Sequence, residues 1–435
     1  MIRLANVIVV HGDRSEADAL AERLERNGYH TSVSTAAHQG LAQAEADRPD
    51  LVLIGEPGGD PITLGQALKA DPSTADIPVV ILARDDQATS TVRALDAGLD
   101  GVIGWDIDDA ELFARLRPLV RLATMHSELR QRAIVARQFG VHARDRVKPS
   151  QGERPSILLI GSDNDGILAL LGAEAEVVAP GNLYEAEEML TRRPFDAAVM
   201  CVGPDAEGML DFCSQVRNNP RLFNLPMVLV VDSGVSAVDA YRRGASRVFF
   251  RPTDTAELRA AVLTLVRRQQ LRWSIRGAMF DSLTPATRDP ATGSYSRAFF
   301  DKYLQNRLDI ALNHDRHLTV VFFYVPNLDG VRRQFGDDAG EHLTLQLSQW
   351  IGGLLRAEDV TAHYDRNKFV VALPDTPLAE AEVVMHRIAG VLAYTDFAVR
   401  EVYQPVKVWV QVGCTDARLG DDMAKLVARA HQNLD

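Results

Sequence analysis

Arg356-Ala-Glu-Asp-Val-Thr-Ala-His-Tyr-Asp-Arg-Asn-Lys-Phe369 decides how the C-terminal third of this chain is read. Residues 359–364 read as a strand, 365–368 as a tight polar turn, and Phe369-Val-Val-Ala-Leu-Pro374 as a second strand. Two short β-prone runs about a polar turn predict a hairpin. Arg356 and Asp359 stand at its entrance. They read in two ways: as a forked cation and a carboxylate facing a ligand, or as a surface pair closing a helix end.

Outward from the hairpin, a polar opening, Asp289-Pro-Ala-Thr-Gly-Ser-Tyr-Ser-Arg297, precedes a helical pattern over 299–312. A strand at 318–324, a helix at 340–355, the hairpin, and a helix at 378–393 follow. A strand at 406–413 and a last helix from Asp421 close the chain. That order predicts an α+β domain containing antiparallel strands.

The N-terminal text differs. Apolar runs at 7–10, 29–33, 50–54, 77–82 and 101–103 alternate with helical spacing, which predicts a doubly wound parallel sheet. A closing helix runs from Asp109 to about Val135, rich in arginine, and is expected to pack on the next domain. Residues 140–155 carry no periodicity and read as a linker. Five further β runs, at 157–160, 176–178, 196–200, 226–230 and 247–250, repeat the first pattern as an internal duplication. The predicted domains are therefore 1–139, 156–274 and 275–435.

Composition narrows the function. A formal charge of −12 argues against nucleic acid as a partner. The sequence is 46% hydrophobic and 24% charged, without an apolar run of membrane-spanning length, so membrane insertion is not expected. Cys201, Cys213 and Cys414 are too few and too scattered for a disulfide framework or a zinc site. The start at Met1 lacks a signal-peptide pattern, and a cytoplasmic location is expected.

Both N-terminal domains resemble the receiver domains of response regulators, through stretches such as "PDLVLIG", "DIPVVIL" and "AYRRGASRVFFRPTD". The resemblance implies an acceptor Asp, an acid pair for Mg²⁺, a hydroxyl and a Lys at strand ends. The first domain has Gly55 at the acceptor position, His11 and Gly12 at the acid pair, Ala83 and Gly104 at the others. The second has Cys201, Gly161 with Ser162, Val231 and Arg251. Glycine and cysteine do not supply the carboxylate that phosphotransfer requires.

Residues from about 285 resemble the GGDEF family of diguanylate cyclases, through the 289–297 opening, the hairpin spacing and Pro374-Asp375-Thr376. In that family two carboxylates hold Mg²⁺; the matching positions here are Tyr324 and Asn367, with Lys368 following. The guanine-reading positions fall on Arg332 and Glu341. On these departures the chain is expected not to be an enzyme and to need no metal. Arg366 and Lys368 read either as a phosphate contact or as solvated turn charges.

The resemblance implies a second site. The family's R-x-x-D motif binds cyclic di-GMP, and it falls on Arg356 and Asp359, with a further arginine at Arg387. His363 and Tyr364 lie beside it. Arg242, Arg243, Arg247 and Arg251 are candidates for an arm reaching that ligand, or a solvated basic face. Two receivers before a GGDEF domain is a layout of cyclases; a version with a failed cyclase turn and an intact R-x-x-D resembles cyclic di-GMP effectors. The resemblance then implies an adaptor of regulated proteolysis that works in cell-cycle control. Its partners would be an RcdA-like protein and the ClpXP protease, with recruitment to a cell pole and homodimerisation through the receivers. The alternative is a ligand-independent scaffold of three interaction domains.

Overall fold

Apolar strands covered on both sides by helices build the N-terminal half. The computed structural model describes residues 4–56, 58–84, 87–148, 154–203, 206–219, 221–400 and 402–434. The expected chain start at Met1 and residues 149–153 of the expected linker lie outside them.

The first domain runs β1 (Asn6–Val10), α1 (Arg14–Glu25), β2 (His30–Ser34), α2 (Ala37–Asp47) and β3 (Leu51–Ile54). It continues with α3 (Pro61–Ala70), β4 (Val79–Ala83), α4 (Gln87–Asp96), β5 (Gly101–Gly104) and α5 (Asp109–Arg137). The strands are parallel in the order β2-β1-β3-β4-β5. Every residue of β3 and β4 is buried, as expected of branched apolar runs under helices on both faces.

The second domain runs β6 (Ser156–Gly161), α6 (Ile167–Gly172), β7 (Glu176–Val178), α7 (Leu183–Arg192) and β8 (Ala197–Cys201). Then come α8 (Ala206–Asn218), β9 (Met227–Val231), α9 (Ala237–Arg242), β10 (Arg247–Phe250) and α10 (Thr255–Met279). Its parallel order, β7-β6-β8-β9-β10, repeats the first. The repeat reaches single bonds. Asp50 Oδ2 accepts from Asn6 N at 2.8 Å, and Asp196 Oδ2 accepts from Ser156 N at 2.9 Å, each fastening the start of its domain's first strand.

The third domain contains β11 (Tyr295–Ser296), α11 (Arg297–Asn313), β12 (Leu318–Tyr324), α12 (Leu328–Phe335) and α13 (Asp337–Leu354). The hairpin β13 (Val360–Asp365) and β14 (Lys368–Pro374) follows, then α14 (Leu378–Tyr394), β15 (Gln411–Asp416) and α15 (Met423–Gln432). The sheet order is β11-β13-β14-β12-β15, with β11 parallel to β13 and the other pairs antiparallel.

Three details differ from the sequence expectation. The hairpin turn is shorter: Asp365 pairs with Lys368, leaving Arg366 and Asn367 as the turn, with a register shift between His363 and Asp365. The last strand starts at Gln411, not Val406. Val406 makes an isolated bridge to Phe397, and the Asn327 amide holds Lys407 O at 2.9 Å and Trp409 N at 3.0 Å, which takes 407–409 out of strand pairing. Finally, α12 was not foreseen. Gly336, at φ +93°, separates it from α13, a left-handed position that suits glycine.

Helix α5 serves two compact units. Residues Ala5–Ala123 and Lys148–Ser274 form one; Thr124–Val147 and the chain from Ile275 onward form the other. Ala110 and Ala114 pack on the core of the second domain, as expected of this helix. Its far end does something else: Ala133, Val135 and Ala136 are buried in the core of the third domain with Tyr295, Phe299 and Tyr303.

Candidate ligand-binding site at the hairpin

The hairpin entrance is a turn between α13 and β13. Asp359 Oδ2 accepts from the backbone N of Arg356 at 2.9 Å, which closes the turn and brings the predicted pair together. The Arg356 side chain is exposed, and among the described residues its guanidinium makes no hydrogen bond or ion pair. Beneath it, Arg132 of α5 donates from Nη2 to Ala357 O at 2.9 Å and to Asp359 O at 3.0 Å. The turn is therefore gripped from below by a side chain of the first domain's last helix, a contact no local pattern signals.

Arg132 belongs to a buried charged layer. Glu128, one helical turn earlier, is fully buried; its Oε2 accepts from Tyr303 at 2.5 Å and its Oε1 lies 3.2 Å from Arg307 Nε. Asp375 receives Arg316 Nε at 2.7 Å and Thr124 Oγ1 at 3.2 Å, with Arg307 Nη2 at 3.9 Å. Burial pushes the Glu128 carboxyl up despite Arg307 and Arg132 beside it. Burial acts on Asp375 in the same sense, but the Arg316 and Arg307 guanidiniums outweigh it and hold that carboxyl below its usual value.

Arg387 lies on α14, away from that turn in sequence, with exposed Val383 and Val391 one turn to either side. Among the described residues it makes no hydrogen bond or ion pair, so no bond brings it to Arg356. His363 is occupied by its neighbour: Nδ1 is 3.2 Å from Asp289 Oδ1, which joins the 289–297 opening to β13. Tyr364 lies under Arg297, 4.2 Å from the guanidinium to the ring centroid.

At the other end of the hairpin the turn meets α12. Asn367 donates to Asp329 Oδ2 at 2.6 Å, and Arg366 Nε reaches Asp329 Oδ1 at 3.1 Å. Arg332 donates to Asn367 Oδ1 at 3.0 Å, to Arg366 O at 3.3 Å and to Thr344 Oγ1 at 3.1 Å. Its stem fills the room over Gly340, where a Cβ would lie 2.1 Å from Arg332 Cγ. Lys368 sits over the Tyr324 ring at 5.7 Å, and Glu341 is exposed. Asp329, not singled out from the sequence, is the carboxylate of this face. The hydrogen bond from Asn367 and the arginines Arg366 and Arg332 hold its pKa below the ordinary value. Tyr324 and Asn367 bring no carboxylate, and Asp329 is shared among three donors, so Mg²⁺, which wants open oxygen ligands, would need Asp329 released from them.

In the first domain His11 and Gly55 explain one another. The His11 ring is buried and fills the space beside Gly55; a Cβ there would come 2.1 Å from His11 Cδ2. His11 Nε2 lies 3.3 Å from Glu16, and the ring packs on Trp105 with centroids 4.7 Å apart. Asp13 is spent on capping α1, accepting from Ser15 N at 2.8 Å. In the second domain Cys201 is buried and its thiol is pushed up to about 11 by burial, with Asp163 adding to it. Arg251 binds Asp165 at 2.8 Å and Val202 O at 2.9 Å. Of the four arginines considered as an arm, Arg243 pairs with Asp211 at 2.8 Å and Arg247 with Glu257 at 3.0 Å, so these and Arg251 are engaged inside their own unit.

Residues 286–435 match the family described as "Diguanylate cyclase, GGDEF domain", and residues 7–117 match "Response regulator receiver domain". The response regulator PleD of Caulobacter vibrioides is 28% identical over 440 residues, covering 99% of this chain and 96% of PleD. The chain thus joins a stretch that matches the receiver model to one that matches the GGDEF model. The second domain shares the receiver-like topology, while the receiver family match covers the first. The GGDEF domain of DgcB from Caulobacter crescentus, solved in complex with c-di-GMP, is 17% identical, covering 34% of this chain and 85% of that one, with a TM-score of 0.33. The FimX GGDEF domain from Pseudomonas aeruginosa is 16% identical over 34% of this chain and 90% of its own, with a TM-score of 0.32.

The expectation that the chain is not an enzyme is corrected by these findings. Residues 286–435 of the third domain match a diguanylate cyclase family, and the alignment to PleD covers 99% of the chain. That expectation counted substitutions position by position, at Tyr324, Asn367 and Lys368. It did not see that the fold sets another carboxylate, Asp329, against the turn. No helix among the described residues is long and apolar enough to cross a membrane.

Proposed function

We propose that this receiver–GGDEF chain reads cyclic di-GMP at the hairpin entrance, through Arg356, Asp359 and Arg387, and that occupancy changes which proteins it binds. The observation that carries the reading is a contrast among arginines. Arg132, Arg307, Arg316, Arg332 and Arg366 are all engaged by carboxylates or carbonyls. Arg356 and Arg387 are exposed and make no hydrogen bond or ion pair among the described residues. A free guanidinium can fork onto guanine O6/N7 or onto a phosphate.

The second domain is taken as a second receiver on its strand order. With Gly55 and Cys201 at the acceptor positions, control runs through the ligand and through packing. PopA-like behaviour belongs to the same proposal: an RcdA-like adaptor and ClpXP as partners in cell-cycle proteolysis, receiver-mediated dimers, and recruitment to a cell pole.

Titration calorimetry of cyclic di-GMP into the full chain tests the reading. Binding heat in the wild type that disappears in Arg356→Ala supports it; a wild type that binds nothing sinks it. GTP turnover with Mg²⁺ is measured on the same sample, since the family match raises that activity. One observation favours a second reading, a ligand-independent scaffold: Asp359 already spends one carboxylate oxygen on the backbone of Arg356. Partner affinity that is the same with and without the dinucleotide would favour it.

A further inference from the structure

Inside the unit formed by the first two domains, the β5 end of the first faces β10 and α10 of the second across a cavity of about 40 Å³. Its lining includes Asp100, Arg115, Arg247 and Arg268, with Thr91 and Thr264. At roughly 10–15 Å³ for each enclosed water, this is room for about three waters or for one small oxyanion.

The charges around it do not balance. Arg115 is 7% exposed and pairs with Glu111 at 2.8 Å; it also donates to Val102 O. Arg247 is 8% exposed and pairs with Glu257 at 3.0 Å, with Val102 O at 3.5 Å. Asp100 pairs with Lys69 at 2.6 Å and also accepts from Val79 N at 2.9 Å. Each nearby carboxylate thus has its own cation. Arg268 is left: among the described residues it makes no hydrogen bond or ion pair, and Asp100 acts on it only at a distance.

Arg115, Arg247, Arg268 and Asp100 line the cavity; with their partners Glu111, Glu257 and Lys69 they make four cations against three carboxylates. Arg268 is half-buried at the cavity wall, and an unpaired guanidinium partly withdrawn from water gains from a counter-charge beside it. Burial pushes Arg247 and Arg268 down to about 10, and Arg115 adds repulsion to both.

We infer that this cavity is a binding site for a small tetrahedral oxyanion of the phosphate class, seated on the free fork of Arg268 beside Arg115 and Arg247. A planar guanidinium presents paired N–H donors that match two oxygens of such an anion. The cavity is too small for a nucleotide, so the anion is free phosphate or sulfate. Its binding would fasten the second domain to the first, because the lining side chains come from both. The inference is independent of how the hairpin reads a dinucleotide.

Thermal unfolding of the full chain in rising inorganic phosphate, against chloride at matched ionic strength, tests it. A ligand bound only by the folded form raises the transition with its concentration. The wild-type transition should rise in phosphate and in sulfate beyond the chloride control. Arg268→Gln should lose that rise, and Arg242→Gln, on α9 outside the cavity lining, should keep it. No rise beyond chloride, or an undiminished rise in Arg268→Gln, overturns the inference. Should Arg268→Gln not fold, calorimetric titration of phosphate into the wild type decides alone, and absence of binding overturns it. GTP and cyclic di-GMP are run alongside; a rise confined to them and absent with phosphate also overturns it.

Discussion

Arg132 and Asp359, 227 residues apart, meet through a hydrogen bond of 3.0 Å from a guanidinium nitrogen to a main-chain carbonyl. The same nitrogen reaches Ala357 O at 2.9 Å, so one side chain from α5 sets the backbone that presents Arg356. Whatever displaces that end of α5 must disturb the turn, and whatever fills the turn must act back on α5, since such coupling is reciprocal.

Arg132→Lys should therefore weaken cyclic di-GMP binding although Arg132 does not face the ligand. A lysine ammonium is a point charge and does not reproduce the fork. The expected loss is about tenfold in affinity, near 1.4 kcal/mol. Calorimetry on wild type and variant gives the answer; equal affinities would show that the grip is only structural.

Glu128→Ala should destabilise the unit containing the third domain by about 3–5 kcal/mol, because it leaves Arg307 buried beside Asp375 with one carboxylate fewer. Chemical denaturation followed by tryptophan fluorescence and far-ultraviolet circular dichroism reads this. Replacing the pair together, as Glu128→Leu with Arg307→Met, should recover most of the loss, since no charge is then stranded.

Asp375 gives a pH dependence with a definite sign. Its folded carboxyl lies below the ordinary 3.8, so its contribution is complete above that value and is lost as pH falls through the lowered folded value. Glu128, raised by burial, works in the opposite sense and favours the folded form at low pH. Asp375→Asn should flatten the acid limb of the stability curve below about pH 3.8, measured as the denaturant midpoint against pH. An unchanged slope would remove Asp375 from the account.

Gly55→Ala should cost about 1–3 kcal/mol, because the added methyl enters the space of the His11 ring. His11→Ala should remove most of that penalty in the double variant, a coupling that a two-mutant cycle measures directly. Additive effects would mean that the ring moves aside freely.

Arg332→Ala opens the room over Gly340 and releases Asn367 and Asp329 from one cation. GTP turnover with Mg²⁺ should rise severalfold over the wild-type rate, read as cyclic di-GMP formed. A rate equal to or below wild type would show that the Arg332 side chain does not obstruct the site.

Much of the fold was legible before any coordinates. Apolar runs at strand length, twice in the same order, fix two parallel sheets, because only helices on both faces bury such runs. The hairpin was legible from its two runs and polar turn, although its turn closed two residues tighter than expected. The 406–410 segment was not, since a strand-like run loses its pairing once Asn327 takes its backbone groups.

The site divides in the same way. The sequence by itself placed Arg356 beside Asp359 and put Gly55 and Cys201 at strand ends, because spacing along a chain fixes neighbours a few residues apart. Only the tertiary structure decided that Arg132 holds the turn, that His11 fills the space at Gly55, and that Asp329 faces Asn367. An arginine on a helix reads as a solvated charge until a partner some two hundred residues away is packed against it. Periodicity records which face of an element is buried, and it carries no record of what that face meets.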